Sequence, residues 1–241
     1  MDTISVSNLD GSKHSVIIED GLDWPRAIAG DPRSGFMFWT DCGMYPKIEK
    51  AGMNGDYRES IVTADLMWPN GIAIDYFAEL LYWVDTKMHT LSSCDFDGFN
   101  RRTIINSNTV LPHPFSIAVF EDEVYWTDRE KASIQKANKY DGSSKTNLLT
   151  DLNNPMNLRV MHPLIQSNLS ENYCGKDNGS CSYLCVAAPQ VSDRSTRYSC
   201  MCPNGQYIMD DNHTCTSSGP KGKVRQQGIG IKKERKGPSG I

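Results

Sequence analysis

A short aromatic motif that recurs on a fixed period constrains this chain more than any other feature. Phe38-Trp39-Thr40-Asp41, Tyr82-Trp83-Val84-Asp85 and Tyr125-Trp126-Thr127-Asp128 follow one another with Trp-to-Trp spacings of 44 and 43 residues. Each copy follows an apolar run opened by a proline (Pro25, Pro69, Pro114) and leads to a glycine turn (Gly55, Gly98, Gly142). The middle copy reads as four short strands, at 71–75, 80–85, 90–96 and 102–105, separated by turn residues. No window sustains the i, i+3, i+4, i+7 apolar pattern, so helices are expected to be few. Four strands on a period of about 40–45 residues make up a β-propeller blade.

Full repeats are expected at about 24–65, 68–107 and 113–150. Residues 3–18 match the third and fourth strands of a further copy, with Gly11 lying 44 residues before Gly55, and 154–161 supply the first strand of another. The total is about three and a half blades, which predicts an open arc or strained pseudo-ring whose two end faces need cover. Strand alternation sends Trp83 and Asp85 to one side of the blade and Tyr82 and Val84 to the other. The tryptophans read either as a ligand surface or as packing between blades. Their presence in every copy favours packing, with each aspartate accepting backbone hydrogen bonds at its strand end.

These blades resemble the YWTD repeats of the low-density lipoprotein receptor family. Trp68-Pro69-Asn70-Gly71-Ile72, Lys47-Ile48-Glu49-Lys50-Ala51-Gly52 and the run from His113 to Asp122 are similar to the lipoprotein, lipophorin and yolk-protein receptor group. The likeness covers roughly residues 1–215. It implies a propeller that closes as six blades in complete family members. Cys42 and Cys94 stand where such receptors carry tryptophan and an aliphatic residue, and both read as buried, unpaired thiols.

Downstream, Cys174, Cys181, Cys185, Cys200, Cys202 and Cys215 lie in a short span with gaps of 6, 3, 14, 1 and 12 residues. A unit so small needs covalent staples, and the pattern is that of an EGF-like domain. Spacing alone leaves 15 pairings open. The resemblance implies Cys174–Cys185, Cys181–Cys200 and Cys202–Cys215. Only one carboxylate, Glu171, precedes the first cysteine, so neither calcium nor any other metal or cofactor is expected. The resulting division is 1–162 partial propeller, 170–216 EGF-like domain and 217–241 disordered basic tail.

Charge is uneven. Seven basic residues and one acid place +6 on 217–241, which leaves −10 of the overall −4 on residues 1–216. An acidic body argues against nucleic acid and suits protein ligands, while the tail offers anionic surfaces a weak contact. Neither a secretory leader nor a membrane-spanning run is visible, although the cysteines demand an oxidising compartment. The chain therefore reads as a piece of a longer secreted or membrane protein in the extracellular or endosomal lumen. Sequons at Asn168, Asn178 and Asn212 are candidate glycosylation sites.

No nucleophile elbow, zinc-protease motif, phosphate loop or dinucleotide fingerprint occurs, so no catalytic residue is expected. The chemistry left is protonation. In the family, the propeller resembles an acid-responsive dock that competes for the receptor's own ligand-binding repeats in the endosome. Lys87-Met88-His89-Thr90 matches a histidine-bearing segment there, and histidine gains charge in that pH range, making His89 the candidate switch. The family's second histidine falls at Ser34 and is missing. Lipoprotein capture belongs to cysteine-rich repeats outside this stretch. The alternative is a matrix or Wnt co-receptor-like module that binds its protein partner directly.

Overall fold

The computed structural model describes residues 2–166 and 171–218. β1 (Ile4–Val6) and β2 (Ser15–Ile18) form a two-stranded half blade. Three four-stranded antiparallel sheets follow in simple up-and-down order. The first contains β3 (Pro25–Asp31), β4 (Phe36–Asp41), β5 (Lys47–Gly52) and β6 (Glu59–Val62). The second contains β7 (Pro69–Asp75), β8 (Leu80–Asp85), β9 (Thr90–Asp95) and β10 (Arg102–Asn106). β11 (Pro114–Phe120), β12 (Glu123–Asp128), β13 (Ser133–Asn138) and β14 (Thr146–Leu149) complete the third. A four-residue helix, α1 (Pro163–Gln166), is too short to cross a membrane, as is every other helix among the described residues.

The chain is thus a partial β-propeller, and the tetrads lie on the second strand of each blade. Trp39, Trp83 and Trp126 are fully buried. Trp83 and Leu81 pack with Phe38, Ile48 and Val62 of the first blade, whereas Tyr82 and Val84 pack with Ile117, Val124 and Trp126 of the third. None of the three indole Nε1 atoms has an acceptor, so apolar packing keeps the tryptophans in place, with Arg58 over the Trp39 ring at 5.4 Å and Arg101 over the Trp83 ring at 5.3 Å. Burial of this kind contributes about 1.5–3 kcal/mol per large apolar side chain.

Threonines tie each blade to the next. Thr40 Oγ1 donates to Asn70 O at 3.2 Å, Thr86 Oγ1 to Pro114 O at 2.5 Å and Thr127 Oγ1 to Met156 O at 2.8 Å. The glycine turns supply the tightest inter-blade approach. Gly98 has φ +82°, and a Cβ there would lie 2.1 Å from the Ile61 carbonyl oxygen of the preceding blade. The Met156 bond seats 155–160 where a fourth first strand would begin, yet that segment makes no strand pairing. The strand expected at 154–161 is therefore corrected to an irregular segment: no second strand stands beside it to satisfy its ladder.

The two ends of the array differ. Ile4 and Ile18 of the half blade cover Trp39, Met37 and Ala51 of the first blade. The half blade is covered in turn by the disulfide-rich module, through Leu184, Val186 and Met201 against Val6 and Ile17. In that module β15 (Leu184–Ala187) pairs with β16 (Tyr198–Met201), and β17 (Tyr207–Ile208) with β18 (Cys215–Thr216). Bridges join Cys174 to Cys185, Cys181 to Cys200 and Cys202 to Cys215. Polar contacts lock the joint: Ser15 Oγ donates to Cys202 O at 2.8 Å and Tyr183 Oη to His14 O at 3.1 Å. The far end stays more open. Tyr125 is half-buried where its counterpart Tyr82 is 1% exposed.

Gly35 marks the closest approach of module and blade. Its φ is +76°, and an added Cβ would lie 2.3 Å from the Ala188 carbonyl carbon. Gly35→Ala is expected to loosen the module with a stability loss of about 1–3 kcal/mol, through backbone strain and the forced shift. Limited proteolysis should cut faster between the two parts in this variant. An unchanged cleavage rate would refute the joint.

Candidate functional site

The tetrad aspartates build one end of the array. Asp85 accepts backbone N–H groups from Met67 and Trp68, at 2.7 and 3.0 Å, and from Lys87 and Met88, at 3.0 and 2.9 Å. A single carboxylate thereby holds the loop running into its blade and the hairpin turn beside it. Asp41 repeats this with Asp23 and Gly43, and Asp128 with His113, Glu130 and Lys131. Burial pushes the Asp41 carboxyl above its ordinary value, against the hydrogen bonds from Asp23 and Gly43. Gly43 is obligatory for closeness, since a Cβ would sit 2.0 Å from the Asp23 carboxyl carbon.

These clamped loops present large side chains to solvent. Trp24 is 66% exposed, Trp68 50%, Met44 77% and Tyr45 80%. Cations stack on the aromatic faces, with Arg26 6.0 Å from the Trp24 ring, Lys87 5.6 Å from Trp68 and Arg129 5.2 Å from Phe115. Between the first strands lies a cleft of about 220 Å³, lined by residues that include Arg26, Asn70, Ser116, Asn157 and Arg159. An aromatic and cationic rim around a shallow cleft is chemistry for protein contact.

His89 belongs to the same end. It sits at φ +53° in the β8–β9 hairpin, half-buried, with Nδ1 2.8 Å from Leu111 O. A carbonyl only accepts, so Nδ1 carries the hydrogen, and Nε2 can take a proton without breaking that bond. His89 makes no ion pair among the described residues. His113 donates its backbone N–H to Asp128, and Ser34 donates to Asp31 O beside the module. No group of metal-binding residues occurs among the described residues.

Asn178 is engaged on both sides of its amide. Nδ2 donates to Cys181 O and Tyr183 O at 3.0 and 3.1 Å, and Oδ1 accepts from Cys185 N at 3.1 Å. A glycan on Nδ2 would displace one of the two bonds that this nitrogen donates within the module. Asn212 is exposed in a turn capped by Asp211, whose carboxyl the Thr214 hydroxyl and backbone N–H groups hold down at about 2. Asn168 lies outside the described residues. Cys42 and Cys94 are free and buried, and burial pushes the Cys94 thiol up to about 12, so it packs as an inert small hydrophobe.

Sequence reasoning missed the exposed Trp24 and Trp68 and the cleft arginines. The available signal was the residue after each strand-opening proline, which varies between copies while the tetrad tryptophan and aspartate do not.

The profile of the low-density lipoprotein receptor repeat class B matches residues 2–32, 35–76 and 79–121. Each of the two complete segments runs from the second strand of one blade through the first strand of the next. The chain is 45% identical over 215 residues to low-density lipoprotein receptor-related protein 8 of Homo sapiens, covering 88% of the chain and 22% of that protein. It is 40% identical over 212 residues to low-density lipoprotein receptor-related protein 5 of Mus musculus, with 88% and 13% covered. The chain thus spans less than a quarter of these relatives. A solved nidogen/laminin complex contains a chain of like fold, with TM-score 0.56, 28% identity, and coverage of 63% of this chain and 56% of that one.

Proposed function

Because the chain belongs to the low-density lipoprotein receptor family, we propose that it is a non-catalytic, extracellular or endosomal-lumen module of an endocytic receptor. It docks protein at the end of the array where Trp24, Trp68 and His89 lie, and supports acid-dependent ligand release. The single observation that carries this reading is the clamped, exposed aromatic rim: three buried aspartates order loops, and those of the first two blades turn Trp24 and Trp68 to water. Ordered loops lose little entropy on binding, so their apolar surface turns into affinity rather than into ordering. Three disulfides suit a secreted setting.

The division assigned to this module is 1–162 propeller, 170–216 EGF-like domain and 217–241 basic tail, the last giving weak contact to anionic surfaces. Asn168 and Asn212 serve as its glycan acceptors. In the endosome the partner is the parent receptor's own ligand-binding repeats, which displace the cargo; lipoprotein is met only through parts outside this chain. His89 is the switch, because Nε2 gains a proton while Nδ1 keeps its bond to Leu111.

Binding of those cysteine-rich repeats to the oxidised chain is expected to strengthen at least tenfold between pH 7 and pH 5. His89→Ala should abolish that gain and leave binding at pH 7 unchanged. Retention of the full pH response in the variant would remove His89 from the mechanism. Pairing of Nδ1 with main chain rather than with a carboxylate favours a second reading, direct and pH-independent binding of a matrix or signalling protein. Equal affinity for such a protein at both pH values would select it.

A further inference from the structure

We propose that the groove on the outer strands of the second blade is a carboxylate site, in which Arg101, Thr90 and Thr103 take a carboxylate from outside in the pose that Glu49 holds in the first blade; this needs nothing from the docking reading above. The two blades correspond residue for residue. Trp39 on β4 pairs with Glu49 on β5, which pairs with Ser60 on β6. Trp83 on β8 pairs with Ser92 on β9, which pairs with Thr103 on β10. Lys47 and Thr90 stand opposite the tetrad aspartates Asp41 and Asp85. Three residues past the turn glycines Gly55 and Gly98 come Arg58 and Arg101.

The two arginines are held alike. Arg58 stacks over Trp39 and donates to Asp20 O and Gly21 O. Arg101 stacks over Trp83 and donates to Ala64 O at 2.6 Å and Asp65 O at 3.0 Å. They differ in what the remaining guanidinium edge meets. Arg58 Nε donates to Glu49 Oε1 at 3.1 Å and Nη2 to Oε2 at 2.7 Å, while Ser60 Oγ donates to Oε1 at 3.3 Å and Lys47 Nζ lies 3.1 Å from Oε2. Glu49 is 4% exposed, so the first blade carries a built-in, buried carboxylate. The second blade has the short Ser92 in its place, and Arg101 Nε meets no acceptor among the described residues.

A groove of about 400 Å³ opens there, lined by Arg101, Thr90, Thr103, Met88, Asn106 and Asp65. The counterparts of all three groups that hold Glu49 thus face one space. Thr103 Oγ1 accepts from Ser92 Oγ at 3.5 Å, so its own hydrogen remains to donate. Asp65 is 83% exposed and 3.8 Å from Nη1, outside hydrogen-bond reach and facing Nη1 rather than the Nε edge. The third blade has no such fork: Gln135 and Lys145 stand at these positions, and Lys145 Nζ donates to Gly142 O. A guanidinium edge with two hydroxyls beside it matches a carboxylate held in bidentate fashion. The carbonyl bonds and the indole beneath fix that edge beforehand, which lowers the cost of binding.

The test follows the Arg101 Nε–H signal by NMR in the full oxidised, isotope-labelled chain at constant ionic strength. The probes are sodium propionate, acetyl-Gly-Glu-Gly-amide and acetyl-Gly-Gln-Gly-amide. Arg101→Lys, which installs the residue type of the third blade, identifies the signal by its loss. The signal is expected to move saturably with the glutamyl peptide, at an affinity at least tenfold above that of the glutaminyl one. Arg101→Lys, followed through the Thr103 amide, should lose at least tenfold in affinity for the glutamyl peptide. Ser92→Glu gives the second blade the residue that the first already carries. It should move the Nε–H signal before any probe is added and abolish the response to both carboxylates. Binding of propionate alone would make the ligand a free small acid, and binding of both a glutamyl side chain; the carboxylate site stands in either case. The absence of a saturable shift with either carboxylate overturns the site, as does equal binding of the two peptides. Undiminished binding in Arg101→Lys overturns it as well, whether or not Ser92→Glu folds, and so does a folded Ser92→Glu chain that responds like the wild type.

Discussion

Lys139→Ala lowers the stability of the blade array by about 3–5 kcal/mol, the expected loss when one partner of a buried ion pair is removed. Lys139 and Asp75 are each 5% exposed, and Nζ lies 2.7 Å from Asp75 Oδ2, bridging the third blade to the inner strand of the second. Truncation leaves the Asp75 carboxylate desolvated beside Tyr82, itself buried, whose hydroxyl burial has already pushed up to about 12. Asp75 Oδ1 also accepts from Phe77 N and Ala78 N, both at 3.1 Å, so its turn cap survives the change and the penalty is that of the uncompensated charge. Lys139→Met combined with Asp75→Asn keeps that acceptor and removes both charges, and should recover more than half of the loss. Urea unfolding followed by tryptophan fluorescence reads both variants. A Lys139→Ala chain within 1 kcal/mol of wild type would show the pair to be inessential.

The same pair sets an alkaline limit. Burial alone would push the Lys139 ammonium down, but its bond to the Asp75 carboxylate holds it above the ordinary lysine value. A group raised in the folded state stabilises fully below its unfolded value, about 10.5, and loses that contribution as pH rises through the folded one. Unfolding midpoints of wild type and Lys139→Ala should therefore converge only in strongly alkaline buffer.

Replacing Cys181 and Cys200 together by serine should destabilise the EGF-like module by about 2–5 kcal/mol, as expected for a native bridge in a small secreted domain. The two cysteines are 8% and 9% exposed and connect the turn before β15 to β16. Because Leu184, Val186 and Met201 cover Val6 and Ile17, the effect should travel beyond the module. Hydrogen exchange is expected to quicken in β1 and β2 while β7 and β8, enclosed by blades on both sides, keep their protection. Unchanged exchange in the half blade would mean that the module is tethered rather than packed.

The repeat carried much of the fold in plain view. Trp39, Trp83 and Trp126 announce blades because only a sheet that meets a neighbour on each face has use for a buried tryptophan and an adjacent Phe or Tyr on the opposite face at every turn of a 43–44-residue period. Asp85 as a loop clamp was legible for the same reason, being local to its strand end and present in every copy. Features set by distant contacts were not legible. That Gly35 touches Ala188 and that Lys139 reaches Asp75 depend on residues brought together from well apart in the chain. The segment at 155–160 carries the pattern of a first strand and fails to pair, because a ladder needs a second strand and pattern alone cannot supply one.

The binding end divides along the same line. Blade identity, tetrad burial and cysteine content follow from short-range periodicity, which is written residue by residue along the chain. The exposure of Trp24 and Trp68 and the meeting of Arg26 with Arg159 in one cleft follow from how successive blades turn about an axis. That turn is set by side-chain packing between sheets, and only the assembled tertiary structure decides it.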